Sequence, residues 1–209
     1  MVDALSNKLT LMIKMNVKDV DNEKAEIINY GLKCFISSIS KCIVIVLLSY
    51  FLGILDLVII SMISFCFYRT FAGGAHAKTH IACLLSSSAI FISSVYIAMY
   101  TSFYFGKTSK IYLLIFIINL IIIYLYAPAD VKQKPILNKN FRKRMRVCSF
   151  LSMSLIIIFA LAVINNNLIS NLIVLTTLFQ GITMLPIFYK ILGCEYGYKR
   201  TSVNEVKPL

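Results

Sequence analysis

The sequence predicts an all-α, polytopic integral membrane protein with about six hydrophobic helices and an N-terminal amphipathic helix. Of its 209 residues, 59% are hydrophobic and only 14% are charged, whereas soluble domains carry about 25% charged residues. The apolar residues fall in long runs, and roughly 20 of them make a helix that crosses a bilayer. Because the few polar side chains cannot cover this apolar surface, lipid is the expected solvent for most of the chain.

Six hydrophobic segments follow one another along the chain. Five are poor in charge and approach or exceed the spanning length: residues 34–55, 81–105, 111–127, 147–164 and 168–189. The sixth, residues 57–68, is short and lies between Asp56 and Arg69, which predicts either a short span or a re-entrant segment. The alternative to six spans is therefore four true spans with two partial ones.

One membrane domain is expected over residues 1–209, with an amphipathic N-terminal segment, 1–30, and a basic cytoplasmic loop, 128–146. Apolar residues recur in the N-terminal segment at helical spacing: Val2, Leu5, Leu9, Met12 and Ile13. A helix of this kind either lies on the inner leaflet of the membrane or docks on the protein's own core or a second subunit.

The net charge of +12 would indicate nucleic-acid binding in a soluble protein, but here it is expected to mark cytoplasmic loops and contacts with anionic lipid. Seven basic residues concentrate in one stretch: Lys132, Lys134, Lys139, Arg142, Lys143, Arg144 and Arg146. The positive-inside rule places this stretch in the cytoplasm. Alternation of six spans then places both termini and the 69–80 loop there too, with residues 106–110 and 165–167 outside. No nucleic-acid partner is expected.

The stretch RTFAGGAHAKTHIAC, residues 69–83, contains the only two histidines of the chain, His76 and His80, together with Cys83. Cysteine and histidine are the minimal set for a thiol nucleophile, because the imidazole takes the thiol proton and the thiolate attacks a carbonyl. In one continuous helix His76 and Cys83 would lie about 10 Å apart along the axis, too far for a hydrogen bond. His76 is therefore predicted on a loop.

The same stretch contains signals for a turn followed by a helix start. Gly73 and Gly74 predict the turn and would let a substrate backbone approach closely. Thr79 predicts an N-cap. Cys83 then lies in the first turns of a helix, where the helix dipole favours a thiolate.

Other interpretations of these residues stay open at this level. His80 lies one helical turn before Cys83 and rivals His76 as the base, or has no chemical role. His76, His80 and Cys83 also have a spacing that suits zinc, but no glutamate follows until Glu195, so no metal or other cofactor is expected. The purely structural alternative is a tight polar turn between two helices.

Two further polar residues have alternative roles. Arg69 could hold a substrate carboxylate or carbonyl, brace the loop, or act as a positive-inside anchor. Asp130 is the only acid in residues 128–146, and it could orient the histidine or begin the loop. A Cys–His dyad without a third member is preferred.

RTFAGGAHAKTHIAC closely resembles the signature of the accessory gene regulator protein B (AgrB) family, and YAPADVKQKPI, residues 126–136, resembles the family's second landmark. The resemblance implies a membrane cysteine endopeptidase of quorum sensing. Such an enzyme removes the acidic C-terminal tail of an AgrD-type propeptide and helps close the rest into a thiolactone or lactone. The family's catalytic cysteine and histidine match Cys83 and His76, and its important arginine and second glycine match Arg69 and Gly74. His80 is outside the pattern.

This resemblance assigns a partner to the basic loop, because cationic side chains attract an acidic tail. The residues expected to do so are Lys132, Lys134, Arg142 and Lys143. The resemblance also allows a homodimer, which no sequence feature indicates. The alternative function is a membrane peptide transporter or exporter without proteolytic chemistry, in which Asn119 and Gln180 line a path or simply join helices.

Overall fold

The computed structural model describes residues 2–17, 21–77, 79–105, 109–131 and 136–195. Within these ranges the chain forms eight α-helices and no β-strand longer than an isolated bridge. The helices are α1 (Val2–Asn16), α2 (Asn22–Phe51), α3 (Leu55–Ala72), α4 (His80–Phe105), α5 (Ser109–Tyr126), α6 (Lys139–Ala162), α7 (Asn167–Ile182) and α8 (Pro186–Ile191). The all-α prediction is confirmed.

Four of these helices are long and apolar enough to cross a membrane: Lys24–Phe51, Leu55–Ala72, His80–Tyr104 and Lys139–Ala162. Two apolar helices, Lys110–Tyr126 and Asn167–Ile182, are shorter. The described helices therefore fit the alternative of four spans with two partial ones. The segment expected to be short, residues 57–68, is not one of the two short helices. Residues 57–68 belong to an 18-residue helix, whereas the predicted segment 168–189 is divided.

The division of that segment occurs at Pro186. Helix α7 ends at Ile182, and Pro186 occupies the first turn of α8. Proline lacks a backbone N–H and has a helical φ, so it is tolerated where a helix begins and not inside one. Two separate helices thus replace the predicted single segment.

The chain divides into two compact units, Met1–Gly53 and Ile54–Leu209. In the first unit α1 packs antiparallel on α2 through polar residues. Asp3 forms an ion pair of 2.9 Å with Lys33, and Lys14 donates to Asn22 at 2.7 Å. The Lys33 ammonium lowers the pKa of Asp3 by hydrogen bonding and charge.

Helix α1 thus docks on the protein itself through α2, and several of its apolar residues are exposed while Leu9 and Ile13 are half-buried. Ser6 and Thr10 are buried, whereas Leu11, Met12 and Met15 are 60%, 52% and 84% exposed. Exposed apolar residues on a helix with a polar face are typical of helices at a membrane surface. The predicted amphipathic segment ends at Asn16, because α2 already begins at Asn22.

Helices α3 to α8 form the second unit, and buried hydroxyl groups join three of them. The Ser61 hydroxyl lies 3.1 Å from that of Ser94 and 3.0 Å from that of Thr176. This contact connects α3, α4 and α7 inside the unit. Hydrogen bonds between small polar side chains are one of the ways in which helices associate in lipid.

The two ends of this unit hold different sets of loops. At one end Asn171 accepts from Tyr112 at 2.6 Å and donates to Ser102 at 3.0 Å, which joins α4, α5 and α7. At the opposite end the segments that follow α3, α5 and α7 meet. The loops 69–80 and 128–146 therefore share one end, as alternating spans require, and the assignment of that end to the cytoplasm stays a prediction.

The predicted basic loop 128–146 is shorter than expected. Helix α6 begins at Lys139, and the Asn138 side chain caps it by accepting from the N–H groups of Asn140 and Phe141 at 2.9 and 3.2 Å. The residues from 139 onward are consequently helical. Asparagine is a preferred N-cap residue, so Asn138 could have indicated this helix start, but the basic residues on both sides of it led to the prediction of a loop.

Candidate active site

The site begins at the C-terminal end of α3. Gly73 ends this helix with φ 74°, and its N–H donates to the Arg69 carbonyl at 2.9 Å. A Cβ atom on Gly73 would collide with the backbone carbonyl of Ala129. Glycine is therefore required here both by the left-handed backbone and by the close approach of a second chain segment.

That approach joins the two sequence motifs directly. Ala129 donates its N–H to the Ala72 carbonyl at 2.8 Å, and Gly74 donates to the Ala129 carbonyl at 2.8 Å. These bonds form an isolated parallel bridge between Gly73 and Ala129. The stretch 69–83 and the stretch 126–136 are thus two parts of one local structure.

Arg69 braces the loop that follows α3. Its Nη2 donates to the Ala75 carbonyl at 2.6 Å, and its Nη1 lies 3.2 Å from both Gln180 Oε1 and Thr183 Oγ1. The guanidinium carbon lies 5.5 Å from the centre of the Phe65 ring, a cation–π distance. Of the roles considered for Arg69, bracing the loop is the one that these contacts show.

The C-terminal end of α7 supplies the remaining contacts to this loop. Gln180 Nε2 donates to the Gly73 carbonyl at 2.7 Å, and the Thr183 carbonyl accepts from the Ala75 N–H at 3.0 Å. Both backbone polar groups of Ala75 are thus bound. Gln180 was predicted only as a helix-joining or path-lining residue, since nothing in the sequence connects it to a loop more than a hundred positions away.

Gly74 lies where this network leaves no room for a side chain. A Cβ atom there would lie 2.6 Å from Thr183 Oγ1 and 2.9 Å from Arg69 Nη1. The predicted role of the two glycines was to admit a substrate backbone. In the structure the protein's own Ala129 carbonyl and Arg69 guanidinium occupy that space.

His76 and Cys83 lie on either side of the start of α4. His76 is exposed and directly follows Ala75 on the loop. Helix α4 begins at His80, and Thr79 caps it: its Oγ1 accepts from the Ala82 N–H at 3.2 Å, and its carbonyl accepts from Cys83 at 3.1 Å. The loop position of His76, the Thr79 cap and the first-turn position of Cys83 were all predicted correctly.

Two candidate reactive residues lie in the first residues of α4. Cys83 is half-buried. His80, half-buried, occupies the first position of α4. Within the described ranges no three His, Cys, Asp or Glu side chains form a group that could hold a metal ion, and this holds for His76, His80 and Cys83.

Asp130, in the second motif, is bound to Arg142. Its Oδ2 accepts from Arg142 Nη2 at 2.6 Å and from the Ile136 N–H at 2.8 Å. The side chains of Asp130 and Arg142 are 3% and 17% exposed, and Tyr189 donates to the Asp130 carbonyl at 3.0 Å. The carboxylate thus organises its own loop, and the charge of Arg142 is neutralised within the protein.

The other predicted basic residues differ in their placement. Lys132 and Lys134 lie outside the described residues. Lys143 and Arg144 line an open groove of about 430 Å³ on α6, together with Asn140, Val147 and Cys148. Arg146 donates to the Ala127 carbonyl at 2.9 Å, so it also supports the second motif.

Comparison with known proteins agrees with both motifs. The profile of the family described as Accessory gene regulator B matches residues 6–184. An AgrB-like protein of Clostridium acetobutylicum is 31% identical over 186 residues, which cover 88% of this chain and 86% of that protein. Accessory gene regulator protein B of Staphylococcus aureus is 31% identical over 162 residues, 78% of this chain and 83% of the relative.

A further AgrB-like protein, from Clostridium beijerinckii, is 27% identical over 188 residues, which cover 90% of each chain. No solved structure matches the chain. The family match contains both motifs and extends through Gln180 and Thr183, so it includes the braced loop as well as the candidate nucleophile. The chain belongs to the accessory gene regulator B family.

Proposed function

We propose that this chain is a membrane cysteine endopeptidase of quorum sensing, with Cys83 as the nucleophile and His76 as the general base and acid. One observation carries the proposal. Both residues lie at the ends of a short segment that is fixed on one side by Arg69, Gln180 and Thr183 and on the other by the Thr79 cap. A reactive thiol requires this kind of support, since small misplacements of catalytic groups cost large factors in rate.

The proposed reaction has two steps, in which Cys83 is acylated and then released. The Cys83 thiolate attacks the carbonyl at the tail junction, the C–N bond breaks, and His76 protonates the leaving amine. The product is an acyl-enzyme thioester. A thiol of the propeptide then attacks this thioester, which forms a cyclic thioester and frees Cys83; a hydroxyl would form a lactone.

The energetics of the two steps differ. The second step exchanges one thioester for another and is close to balanced, whereas the first converts an amide to a thioester and is uphill. Forward flux then depends on removal of the tail or export of the ring. Water must also be kept from the acyl-enzyme, which suits a half-buried sulfur at the end of a membrane helix.

The substrate in this proposal is an AgrD-type propeptide with an amphipathic leader and an acidic tail. Lys143 and Arg144, which line the groove on α6, are the described residues best placed to attract that tail, together with Lys132 and Lys134 of the same basic stretch. Arg142 contributes less, because Asp130 offsets its charge. In this proposal the site and both termini face the cytoplasm, and the amphipathic leader lies on the inner leaflet beside the site.

The packing of the polar residues favours an enzyme over a transporter. Asn119 and Gln180, which could line a transport path, are both fully buried. Asn119 donates to the carbonyl of Ile115 in its own helix at 3.1 Å, and Gln180 holds the loop. These contacts indicate packing and support of the site.

Reconstitution of the chain with a propeptide tests the proposal. The propeptide should have an amphipathic start, a central cysteine or serine and an acidic end. Cys83→Ala should abolish tail removal in protein that remains folded, whereas Cys42→Ala, which removes an exposed thiol in α2, should not. His76→Ala should abolish it and His80→Ala should reduce it much less. Cleavage by the Cys83→Ala variant would overturn the proposal.

A further inference from the structure

The Gln180 side chain forms hydrogen bonds both to Arg69, which braces the loop, and to the backbone of that loop. Its Oε1 lies 3.2 Å from Arg69 Nη1, and its Nε2 donates to the Gly73 carbonyl at 2.7 Å. The side chain is fully buried. A buried amide within a membrane helix is costly unless its groups are satisfied, and here each end of the amide is used at the candidate site.

We infer that Gln180 is a positioning residue for the Cys83 reaction, acting through the Gly73 carbonyl and the Arg69 guanidinium to set the loop that carries His76. This inference rests on the proposed function. The Gln180 amide binds the Gly73 carbonyl directly. It also contacts Arg69, whose Nη2 donates to the carbonyl of Ala75, the residue directly before His76. Loss of the amide releases the Gly73 carbonyl and one of the contacts that orient Arg69.

Other polar residues of α7 do not share this role. Thr177 is equally buried, but its hydroxyl donates to the Val174 carbonyl of its own helix at 2.7 Å. Thr183 contacts Arg69 through its hydroxyl, but it binds the loop backbone through its own carbonyl, which any residue supplies. Gln180 is thus distinguished from its neighbours by an amide donor directed at the loop backbone.

The direct test compares Gln180→Met and Gln180→Glu with the matched control Thr177→Val. Met keeps the length of the side chain and removes both hydrogen-bonding groups. Ionised Glu keeps an acceptor for Arg69 but cannot donate to the Gly73 carbonyl. Thr177→Val removes one buried hydroxyl with little change of shape. All variants are purified as the full chain and reconstituted in liposomes.

The first measurement is the single-turnover rate of tail release at saturating propeptide, with KM measured in parallel. We expect Gln180→Met and Gln180→Glu each to lower the rate by about 10- to 100-fold, the range for residues that orient reactive groups, with KM changed less than about threefold. Thr177→Val should stay within about twofold. A wild-type rate in Gln180→Met would overturn the inference. A wild-type rate in Gln180→Glu would show that the hydrogen bond from Gln180 to the Gly73 carbonyl does not contribute.

A second measurement does not depend on the proposed function. Hydrogen exchange of the peptide containing residues 73–77 reports whether the loop opens. Gln180→Met should raise its exchange by at least about tenfold, and Thr177→Val should not. Unchanged exchange overturns the positioning role. Wild-type protein that never cleaves the propeptide, with exchange raised as expected, would instead refute the proposed function and leave Gln180 as a support of the loop.

Discussion

Replacing Gly73 with alanine is expected to separate the two motifs, and Gly53 provides a matched control. The two glycines have nearly the same left-handed φ, 74° and 70°. A Cβ atom on Gly53 meets nothing within 4 Å, whereas one on Gly73 collides with the Ala129 carbonyl. The pair therefore compares a positive φ in open space with a positive φ at the bridge, where Gly73 also has ψ −153°.

The expected magnitudes follow from this difference. An alanine forced into a left-handed conformation costs about 1 kcal/mol, which is the full expectation for Gly53→Ala. At Gly73 the collision also displaces the two bridge bonds, each 2.8 Å long and each contributing about 1 kcal/mol. Because Gly73 also has ψ −153°, a backbone region that costs other residues about 1–3 kcal/mol, Gly73→Ala should lower the free energy of unfolding by about 3 to 5 kcal/mol.

Denaturation by SDS in mixed micelles, followed by far-UV circular dichroism, measures the two changes. Tail release by the folded fraction should persist in Gly53→Ala and be lost in Gly73→Ala, because the bridge holds the loop before His76. Equal losses of stability in the two variants would refute the steric reasoning. Full activity in Gly73→Ala would show that the site does not depend on the bridge.

The remaining predictions concern charged groups. Arg142→Met leaves the Asp130 carboxylate buried without its charged partner, so it should destabilise the protein by about 3 kcal/mol. Adding Asp130→Asn should recover part of this loss in a double-mutant cycle. An unchanged unfolding curve for Arg142→Met would contradict the internal role of Arg142. Lys143→Gln should raise KM for an acidic-tailed propeptide at low salt, with the difference lost at high salt; an equal effect on a neutral tail would contradict charge attraction. Because Lys33 lowers the pKa of Asp3 in the folded chain, their ion pair contributes fully above the unfolded pKa, about 3.8, and is lost as pH falls through the folded value. Hydrogen exchange of α1 should therefore show a full and constant contribution from this pair between pH 5 and about pH 8 and faster opening only below about pH 4, and Asp3→Asn should remove that acid dependence.

Local features of this chain were predictable because their causes are local. Long apolar runs predict membrane helices wherever the backbone must satisfy its own hydrogen bonds. The Thr79 cap depends on a side chain and an N–H three residues apart, and it places Cys83 in the first turn of α4 and leaves His76 on the loop. These features follow from composition and spacing, so the candidate nucleophile and its candidate base could be named before the fold was known.

Contacts between distant segments had no such signal. The bridge from Gly73 to Ala129, the pairing of Asp130 with Arg142 and the amide of Gln180 on the Gly73 carbonyl join residues that lie between 12 and 107 positions apart. From the sequence alone, Gly73 indicated a turn, Arg142 indicated a cation for an acidic tail, and Gln180 indicated a polar residue that joins helices or lines a path.

The sequence by itself therefore determined that this chain is an all-α membrane protein, and it predicted the candidate reactive residues at one helix start. Only the tertiary structure decided what Arg69, Gly74, Arg142 and Gln180 do. The physical reason is that a hydrogen bond or a steric limit depends on which groups the fold brings within about 3 Å of each other. Hydrophobic periodicity contains no information at that scale.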